Sequence, residues 1–397
     1  MFSARTSWHR EHNRLTELYH ARRTGGKPIV DLTNSNPTDC GFEYPATKVL
    51  AALTAPENLH YVPDPHGNRS ARESVVGYYA SKGLNLNPDD VFLTASTSES
   101  YSLIFKLLCD PGDNILVPSP AYPLFDYLAQ INDVATRSYH LIYDDAWHIN
   151  IGSIERTLTD STRAIVLVNP HNPTGMFLRT DVVDALADLA KSRNIALLVD
   201  EVFIDYAFQS DLSRIPTTAG LSGALTFTLN GISKMVGFPQ MKLGWVVVSG
   251  PQEDAAEAKE RLEILCDTFL TVGTPVQLSL PRLLTAGSTV HGQILRRITS
   301  NYNTLCKSVN RGSACSVLAA EGGWCAVIRA PETRSDEQWA LELLDSCGVY
   351  LYPGYFFDFD KESHLVVSLL PRESEFLHGV CNIIEYIDRQ SMQTRSP

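Results

Sequence analysis

The stretch AIVLVNPHNPTG, residues 164–175, joins five apolar residues to a polar turn that contains two prolines. A short apolar run bounded by proline and glycine predicts a buried strand that ends before Asn169. Each proline fixes its own φ angle and restricts the residue before it, so such a turn can hold a side chain rigidly. We therefore expect Asn172, which stands between His171 and Pro173, to be held towards a ligand.

Similar apolar runs recur on both sides of this stretch, separated by segments with helical periodicity such as 97–108 and 181–190. Buried runs that alternate with helices are typical of a mainly parallel sheet with helices on both faces, an α/β fold. The predicted strands are VFLTA (91–95), NILVP (114–118), AIVLV (164–168), IALLVD (195–200), ALTFTLN (224–230) and KLGWVVVS (242–249).

The pattern changes after about residue 285, where long helical stretches surround two predicted strands, 323–329 and 364–370. This predicts a large domain over residues 46–285. It also predicts a smaller α+β domain, formed by residues 286–397 together with residues 1–45, which include an N-terminal arm. Trp324, Phe356 and Phe357 are predicted as core residues of the smaller domain, with the lining of a ligand pocket as the alternative.

The composition is that of a globular protein, with 397 residues, 44% hydrophobic residues and a net charge of −12. The acidic charge argues against nucleic acid or an anionic membrane as the main partner. No apolar run approaches the roughly 20 residues of a membrane span, and the first residues lack the apolar core of a signal peptide. Eight scattered cysteines form neither a C-x-x-C pair nor zinc spacing, so we expect no metal site and a reducing, cytoplasmic location.

Ligands of open parallel sheets bind at the carboxyl ends of the strands, so the polar residues there are the candidates for a site. Ser96, Thr97 and Ser98 begin a predicted helix, where free N–H groups bind anions, although simple helix capping is the ordinary alternative. The candidates at the other strand ends are Ser119, Tyr122, Asn169, Asn172, Asp200, Gly231, Ser233 and Lys234.

Two of these residues carry the chemistry. Asp200 ends an apolar strand, so its carboxylate needs a partner, either an arginine or a protonated ring nitrogen. Lys234, in a cleft, can have a lowered pKa and act as a nucleophile, whereas most lysines are solvated surface residues. An anion site, a cationic ring nitrogen, a stacked ring and an aldehyde on lysine together describe pyridoxal 5′-phosphate.

The motifs VNPHNPTG (168–175), DEVF (200–203) and GISKMVGFPQMKLGW (231–245) resemble those of the class I and II aminotransferases, pyridoxal phosphate enzymes of fold type I. The segments 61–67, 93–101, 110–125 and 352–357 also match, so the resemblance covers nearly the whole chain. It implies an aspartate aminotransferase-like fold and transfer of an amino group from an amino acid or amine to a 2-oxo acid. It also implies a homodimer with shared active sites.

The resemblance assigns a role to each matching residue. Lys234 would form the aldimine and shuttle the proton, Asp200 would hold the pyridinium N–H, and Asn172 would bind the ring oxygen. Tyr122 would stack on the ring. The residues implied to bind the phosphate are Ser96, Thr97, Ser98, Ser233 and Lys242, with Tyr61 reaching the phosphate of the neighbouring subunit.

Several positions depart from the family pattern. Lys242 replaces the usual phosphate-binding arginine, which exchanges a bidentate fork for a point charge. Phe203 replaces a tyrosine that hydrogen-bonds the ring oxygen, and Gly231 replaces a common serine. The strand before the last helix begins with His364 and lacks the arginine that grips the substrate carboxylate. The candidate substrate-binding residues are then Ser35, His364 and Arg372, unless the donor is an amine without a carboxylate.

Two other functions fit the same residues. A lyase or decarboxylase uses the same electron sink, and fold alone does not separate these reactions. A cofactor-binding regulator without turnover is a further alternative, although the chain is acidic and carries no DNA-binding module.

Overall fold

The computed structural model describes residues 2–8, 11–361 and 363–395. Its strands are β1 (Val30–Asp31), β2 (Val91–Thr94), β3 (Asn114–Ser119), β4 (Ala135–Asp144), β5 (Ala146–Ile149), β6 (Thr162–Val168), β7 (Ala196–Asp200), β8 (Thr226–Gly231), β9 (Gly244–Ser249), β10 (Ser316–Val317), β11 (Cys325–Arg329), β12 (Val349–Tyr350), β13 (Tyr352–Pro353) and β14 (His364–Ser368).

The helices of the described residues are α1 (Arg14–Thr24), α2 (Ala46–Ala52), α3 (Arg69–Ala80), α4 (Thr97–Leu108), α5 (Leu124–Ile131), α6 (Ile151–Thr157), α7 (Thr180–Arg193), α8 (Ile232–Met235), α9 (Gln252–Phe269), α10 (Thr274–Ser308), α11 (Asp336–Glu342) and α12 (Glu373–Arg395). A π-helical turn, Leu343–Cys347, continues α11. Within the described ranges, no helix is long and apolar enough to cross a membrane.

An eight-stranded sheet forms the centre, with the strand order β2-β9-β8-β7-β6-β3-β4-β5. The pairs from β8 to β4 are parallel, whereas β9 runs antiparallel to both β2 and β8, and β5 runs antiparallel to β4. The predicted mainly parallel sheet is confirmed. Strand β4, which lies between β3 and the edge strand β5, was not predicted from the sequence, because most of its residues are exposed or half-buried and form no continuous apolar run.

Helices cover both faces of the central sheet. In β6, Val166 packs in the cluster that includes Ile104 of α4 and Leu262 of α9. Ile165 packs on the other side, in the cluster that contains Leu186 of α7. Buried strands with both faces covered explain why the sequence shows continuous apolar runs rather than alternation.

The C-terminal part forms a second sheet of four antiparallel strands, in the order β10-β11-β14-β13. β1 pairs in parallel with β12, which brings residues near the N-terminus to this part of the molecule. The division into domains at 45/46 and 285/286 stays a prediction, and residues 285 and 286 both lie inside α10.

Candidate active site

The ends of the parallel strands bring the polar candidates to one edge of the central sheet. The N–H of Asn169, after β6, donates to the carbonyl oxygen of Asp200 at the end of β7, at 2.8 Å. β2 and β8 lie on either side of β9, and Thr94 and Gly231 both pair with Gly244. The starts of α4 and α8, the turn after β6 and Asp200 therefore share this edge.

Lys234 is the third residue of the short helix α8 and contacts two aromatic rings. Its Nζ lies 5.0 Å from the centre of the Trp324 ring and 6.0 Å from that of Phe203. The hydroxyl of Tyr206 donates to the backbone carbonyl of Lys234 at 2.7 Å. The side chain is thus enclosed by rings and its backbone is held in place, unlike that of a solvated surface lysine.

The surroundings of Lys234 favour its neutral amine. Burial lowers the pKa of Lys234, the charge of Lys242 also lowers it, and Cys325 and Asp200 act in the opposite direction. Within the described residues Lys234 forms no salt bridge. A neutral amine in a cleft is the nucleophilic form of lysine.

Asp200 is a buried carboxylate whose two oxygens are each bound. The N–H of Val202 donates to Oδ1 at 3.0 Å, and the hydroxyl of Tyr101 donates to Oδ2 at 3.2 Å. Burial raises the pKa of Asp200 to about 6, although these hydrogen bonds and the charge of Lys234 lower it. No arginine pairs with Asp200 among the described residues, so the protein leaves room for another cationic partner.

The turn of the VNPHNPTG motif is fixed by its own backbone and by a neighbouring segment. The His171 N–H donates to the Met176 carbonyl and the Gly175 N–H to the His171 carbonyl, both at 2.7 Å. Gly175 has a φ of +73°, and a Cβ there would lie 2.5 Å from the carbonyl oxygen of Gly322. The turn therefore packs directly on the segment that leads to Trp324.

Buried polar atoms without a protein partner lie in or near this turn. The Nδ2 of Asn169, the Nε2 of His171 and the Nε1 of Trp324 are buried and have none among the described residues. The side chain of Asn172 is half-buried and forms no hydrogen bond within the described part of the chain. Burial lowers the pKa of His171 to about 3, so its ring is neutral.

The start of α4 carries the three small hydroxyl residues predicted for an anion. The Ser96 Oγ accepts from the Glu99 N–H at 3.2 Å, so Ser96 is the N-cap of this helix. Thr97 and Ser98 are half-buried, and no hydrogen bond engages their hydroxyls within the described ranges. The capping alternative thus holds for Ser96, and two hydroxyls remain available.

Glycines allow the backbones around α4 and α8 to approach closely. A Cβ at Gly231 would lie 3.0 Å from the Cα of Gly244, and a Cβ at Gly244 would lie 3.3 Å from the backbone of Ser96. This proximity explains why Gly231, rather than a serine, begins the segment that carries Ser233. Lys242, two residues before the start of β9, is exposed and has a φ of 53°.

The remaining cofactor candidates differ in exposure. Tyr122 follows β3 and is half-exposed; burial raises its pKa and so does the nearby Cys325. Ser233 is half-buried beside Lys234. Tyr61 is 75% exposed, next to the exposed Val62.

The substrate candidates differ in their contacts. The Ser35 hydroxyl donates to the Thr33 carbonyl at 3.2 Å. His364 is buried, stacks on Phe359 with ring centres 4.6 Å apart, and shares a hydrogen bond with the Lys361 carbonyl through Nδ1. Burial lowers the pKa of His364, which disfavours the cation that a carboxylate would need.

The position of His364 along its strand also separates it from Lys234. Cys325, which lies near Lys234, pairs with Ser368 at the far end of β14. Four residues of extended strand put His364 about 13 Å from that end. Arg372 is exposed, and its guanidinium packs against Gly41. The roles of both residues in carboxylate binding stay predictions.

Sequence reasoning missed two tyrosines of this site. Tyr101 lies among apolar residues in the predicted helical segment 97–108, and Tyr206 has no motif of its own. The available signal for Tyr101 was a hydroxyl on an otherwise apolar helix face, because a buried hydroxyl requires a partner. Trp324 and Phe357 are buried as predicted for core residues, and Trp324 also contacts the Lys234 amine.

The chain matches the family model described as aminotransferase class I and II over residues 27–375. It is 26% identical over 369 residues to the glutamate-pyruvate aminotransferase AlaA of Haemophilus influenzae, with 91% of each chain covered. It is 29% identical over 364 residues to the alanine aminotransferase of Mycobacterium bovis, which covers 89% of this chain and 84% of the relative.

Solved structures show the same fold. The alanine aminotransferase from Pyrococcus furiosus has a TM-score of 0.88 at 22% identity and covers 98% of this chain and 100% of its own. A Thermus thermophilus aspartate aminotransferase single mutant has a TM-score of 0.84 at 20% identity. The match covers 97% of this chain and 99% of the mutant's chain. The predicted aspartate aminotransferase-like fold is confirmed.

Proposed function

We propose that alanine and a 2-oxo acid are the substrates of this chain, which belongs to the class I and II aminotransferases. The resemblance predicted from its motifs is confirmed, and so is transamination as its reaction. A lyase or decarboxylase on the same fold is not favoured, since the named relatives are aminotransferases. The observation that carries the choice of alanine is that the similar proteins are named alanine or glutamate-pyruvate aminotransferases.

The residues of the site fit pyridoxal 5′-phosphate as the cofactor. An amine with a lowered pKa, a buried carboxylate without an arginine and an unengaged amide at Asn172 lie at one sheet edge. Thr97 and Ser98 at the start of a 12-residue helix supply hydroxyls and N–H groups for a phosphate. The residues proposed to hold the cofactor are Ser96, Thr97, Ser98, Tyr122, Asn172, Asp200, Ser233, Lys234 and Lys242, with Tyr61 from the neighbouring subunit.

When bound, this cofactor supplies an electron sink for the bonds of the substrate Cα. Lys234 would hold the cofactor covalently through Nζ and, once freed, accept and return the Cα proton. Burial lowers the pKa of Lys234, which favours the neutral amine that a base requires. Asp200 would keep the ring nitrogen protonated, and the Trp324 and Phe203 rings would exclude water from the amine.

The aromatic surroundings of Lys234 support a donor with a small apolar side chain. Trp324 and Phe203 are buried beside the amine and Tyr122 stands at the end of β3. An apolar wall offers no partner to a second charged group on the donor, and an unpaired buried charge is costly.

One observation favours a second candidate, an amine donor without a carboxylate. His364 is buried with a lowered pKa, and the guanidinium of Arg372 packs against Gly41. If either residue does hold a carboxylate, its alanine variant should lose roughly 2–5 kcal/mol of transition-state binding for acid donors. His364→Ala and Arg372→Ala with unchanged kcat/KM for alanine would remove both from that role.

The visible spectrum of the purified protein separates the two candidates. Cofactor attached to Lys234 should give a yellow band that alanine bleaches and that pyruvate restores. The same panel includes glutamate, aspartate, aromatic amino acids and amines without a carboxylate. Bleaching by the carboxylate-free amines alone would overturn alanine as the donor, and bleaching by none would overturn the whole proposal.

We also propose a homodimer in the cytoplasm. Support for the dimer comes from three apolar residues that follow each other closely on the surface, Leu59, Tyr61 and Val62, each at least 75% exposed. The cytoplasmic location is supported by the eight cysteines, all of which are free thiols.

A further inference from the structure

Tyr101 makes a contact with Asp200 that the motifs of the chain do not account for. Tyr101 is the fifth residue of α4, and Asp200 ends β7, 99 positions later. Both side chains are buried, and the tyrosine hydroxyl donates to Oδ2 of the carboxylate at 3.2 Å. The contact joins a helix on one face of the sheet to the sheet edge where Lys234 lies.

Packing leaves the Tyr101 hydroxyl little freedom. Its ring lies edge-on to Phe125 of α5, with ring centres 5.3 Å apart, and 5.9 Å from that of Phe105, one turn along α4. A buried hydroxyl without a hydrogen-bond partner would destabilise the fold by about 1–3 kcal/mol, so the bond to Asp200 is the stable arrangement. The ring therefore fixes the donor, and the donor fixes the carboxylate.

The remaining bonds of Asp200 make its orientation specific. The N–H of Val202 binds Oδ1, and Tyr101 binds Oδ2, so the carboxylate is held by one donor on each oxygen. Rotation about the last side-chain bond would break both contacts. A carboxylate oxygen has lone pairs for more than one donor, so each oxygen can still accept from a ligand.

We propose that Tyr101 is a positioning residue for the reaction: it orients Asp200 and stabilises its charged form towards the ring nitrogen of the cofactor. The inference rests on the proposed cofactor site. Tyr101 itself does not touch the cofactor or substrate in this assignment and acts through Asp200.

Electrostatics agree with this geometry. Burial raises the pKa of Asp200, and the bonds from Val202 and Tyr101 and the charge of Lys234 lower it. Burial also raises the pKa of Tyr101 well above 10, as do the charge of Asp200 and the hydrogen bond to it, so Tyr101 remains a donor. Removing its hydroxyl leaves a buried carboxylate with one donor fewer, which favours the protonated acid.

The test is Tyr101→Phe in the cofactor-loaded enzyme, read by three measurements. The pH titration of the cofactor absorbance should shift by at least about half a pH unit, and cofactor should dissociate roughly tenfold faster. The value of kcat should fall roughly tenfold, with a smaller change in the KM of the donor.

Tyr139→Phe is the matched control. Tyr139 is equally buried, and its hydroxyl donates to the backbone carbonyl of Val166 at 2.8 Å rather than to Asp200. This variant should keep the native titration. The inference would be overturned if the Tyr101→Phe variant folds correctly and behaves like the native enzyme. Both its titration and its rate of cofactor dissociation would then equal the native values.

A second comparison separates an effect through Asp200 from a general loss of packing. Adding Tyr101→Phe to Asp200→Ala should leave the titration unshifted and change the dissociation rate by less than twofold, because the group that Tyr101 acts on is gone. Equal effects in both backgrounds would overturn the inference. If borohydride fails to fix cofactor on Lys234 of the native protein, the proposed function fails instead, which keeps the two failures distinct.

Discussion

At the scale of single residues, Lys234 carries the proposal for the reaction. Its amine lies 5.0 Å from the Trp324 ring centre, and burial lowers its pKa. Lys234→Ala should abolish the yellow band and turnover while the fold is kept, because no other amine is placed beside Asp200 in the described structure. Borohydride reduction followed by peptide mass analysis measures the attachment, with Lys307→Ala, an exposed lysine of α10, as the control. Cofactor fixed to Lys234→Ala protein with full activity would contradict the assignment.

Glu201, next to Asp200, predicts a pH dependence of stability. It is fully buried and accepts from the Thr217 hydroxyl at 2.6 Å and the Thr218 N–H at 2.7 Å. Burial raises the pKa of Glu201 from 4.5 to about 7, although these bonds lower it. The folded protein then binds more protons than the unfolded chain between pH 4.5 and 7, so Glu201 makes the free energy of unfolding fall as the pH rises through this window.

Across this pH window, Glu201 should lower the free energy of unfolding by roughly 3 kcal/mol. Glutamine cannot bind or release the proton that the Glu201 carboxyl does. The free energy of unfolding of Glu201→Gln should therefore fall less between pH 5 and pH 7 than that of the native protein. Urea unfolding of cofactor-free protein at both pH values gives the comparison. Equal falls for both proteins would show that Glu201 is already ionised at pH 5.

At the scale of elements, the site depends on a close contact between the turn after β6 and the segment before β11. The Glu321 N–H donates to the Gly175 carbonyl at 3.1 Å, and its carboxylate binds Arg179 and Arg214. This contact brings Trp324 towards Lys234. The glycines are needed because the two backbones lie too close for a side chain.

Gly175→Ala should destabilise the protein by about 1–3 kcal/mol, because its φ is +73° and the new Cβ would meet the Gly322 carbonyl at 2.5 Å. Turnover should fall as Trp324 moves relative to Lys234. The matched control is Gly77→Ala in α3, where a Cβ meets nothing within 4 Å; it should be neutral or stabilise by up to about 1 kcal/mol. Urea unfolding curves of the two variants that coincide would refute the close-contact argument.

At the scale of the whole molecule, the proposed homodimer predicts that Tyr61 acts on the partner's site. Tyr61→Ala and Lys234→Ala homodimers should both be impaired. A mixed dimer of the two variants contains one site with both native residues, so mixing after partial denaturation should restore activity, up to about half the native rate per mixed dimer. No recovery in mixed dimers that are shown to form would place Tyr61 outside the shared site.

The exposed apolar segment predicts the same assembly independently. Val62→Asp places a charge on a surface that would be buried between subunits, so it should shift the sedimentation of the protein from dimer towards monomer. Leu212→Asp is the control, since Leu212 is fully exposed in a loop outside this segment. Sedimentation of Val62→Asp like that of the native protein would argue against this surface as the interface.

The sequence by itself determined the central sheet and the residues at its carboxyl edge. Buried parallel strands must be continuous apolar runs, and their ends converge because neighbouring strands run the same way. The candidates Asn172, Asp200 and Lys234 could therefore be found from the strand ends alone. Strand β4 escaped prediction, because most of its residues are exposed or half-buried and so form no such run.

Only the tertiary structure decided which distant residues meet. Tyr101 and Asp200 are 99 positions apart, and Trp324 reaches Lys234 through the packing of glycines at 175 and 322. His364 and Arg372 were proposed from their place in the chain, yet one is buried against Phe359 and the other packs on Gly41. The physical reason is that side-chain contacts between separate segments depend on how the elements pack, and no local pattern of apolar or turn residues encodes that packing.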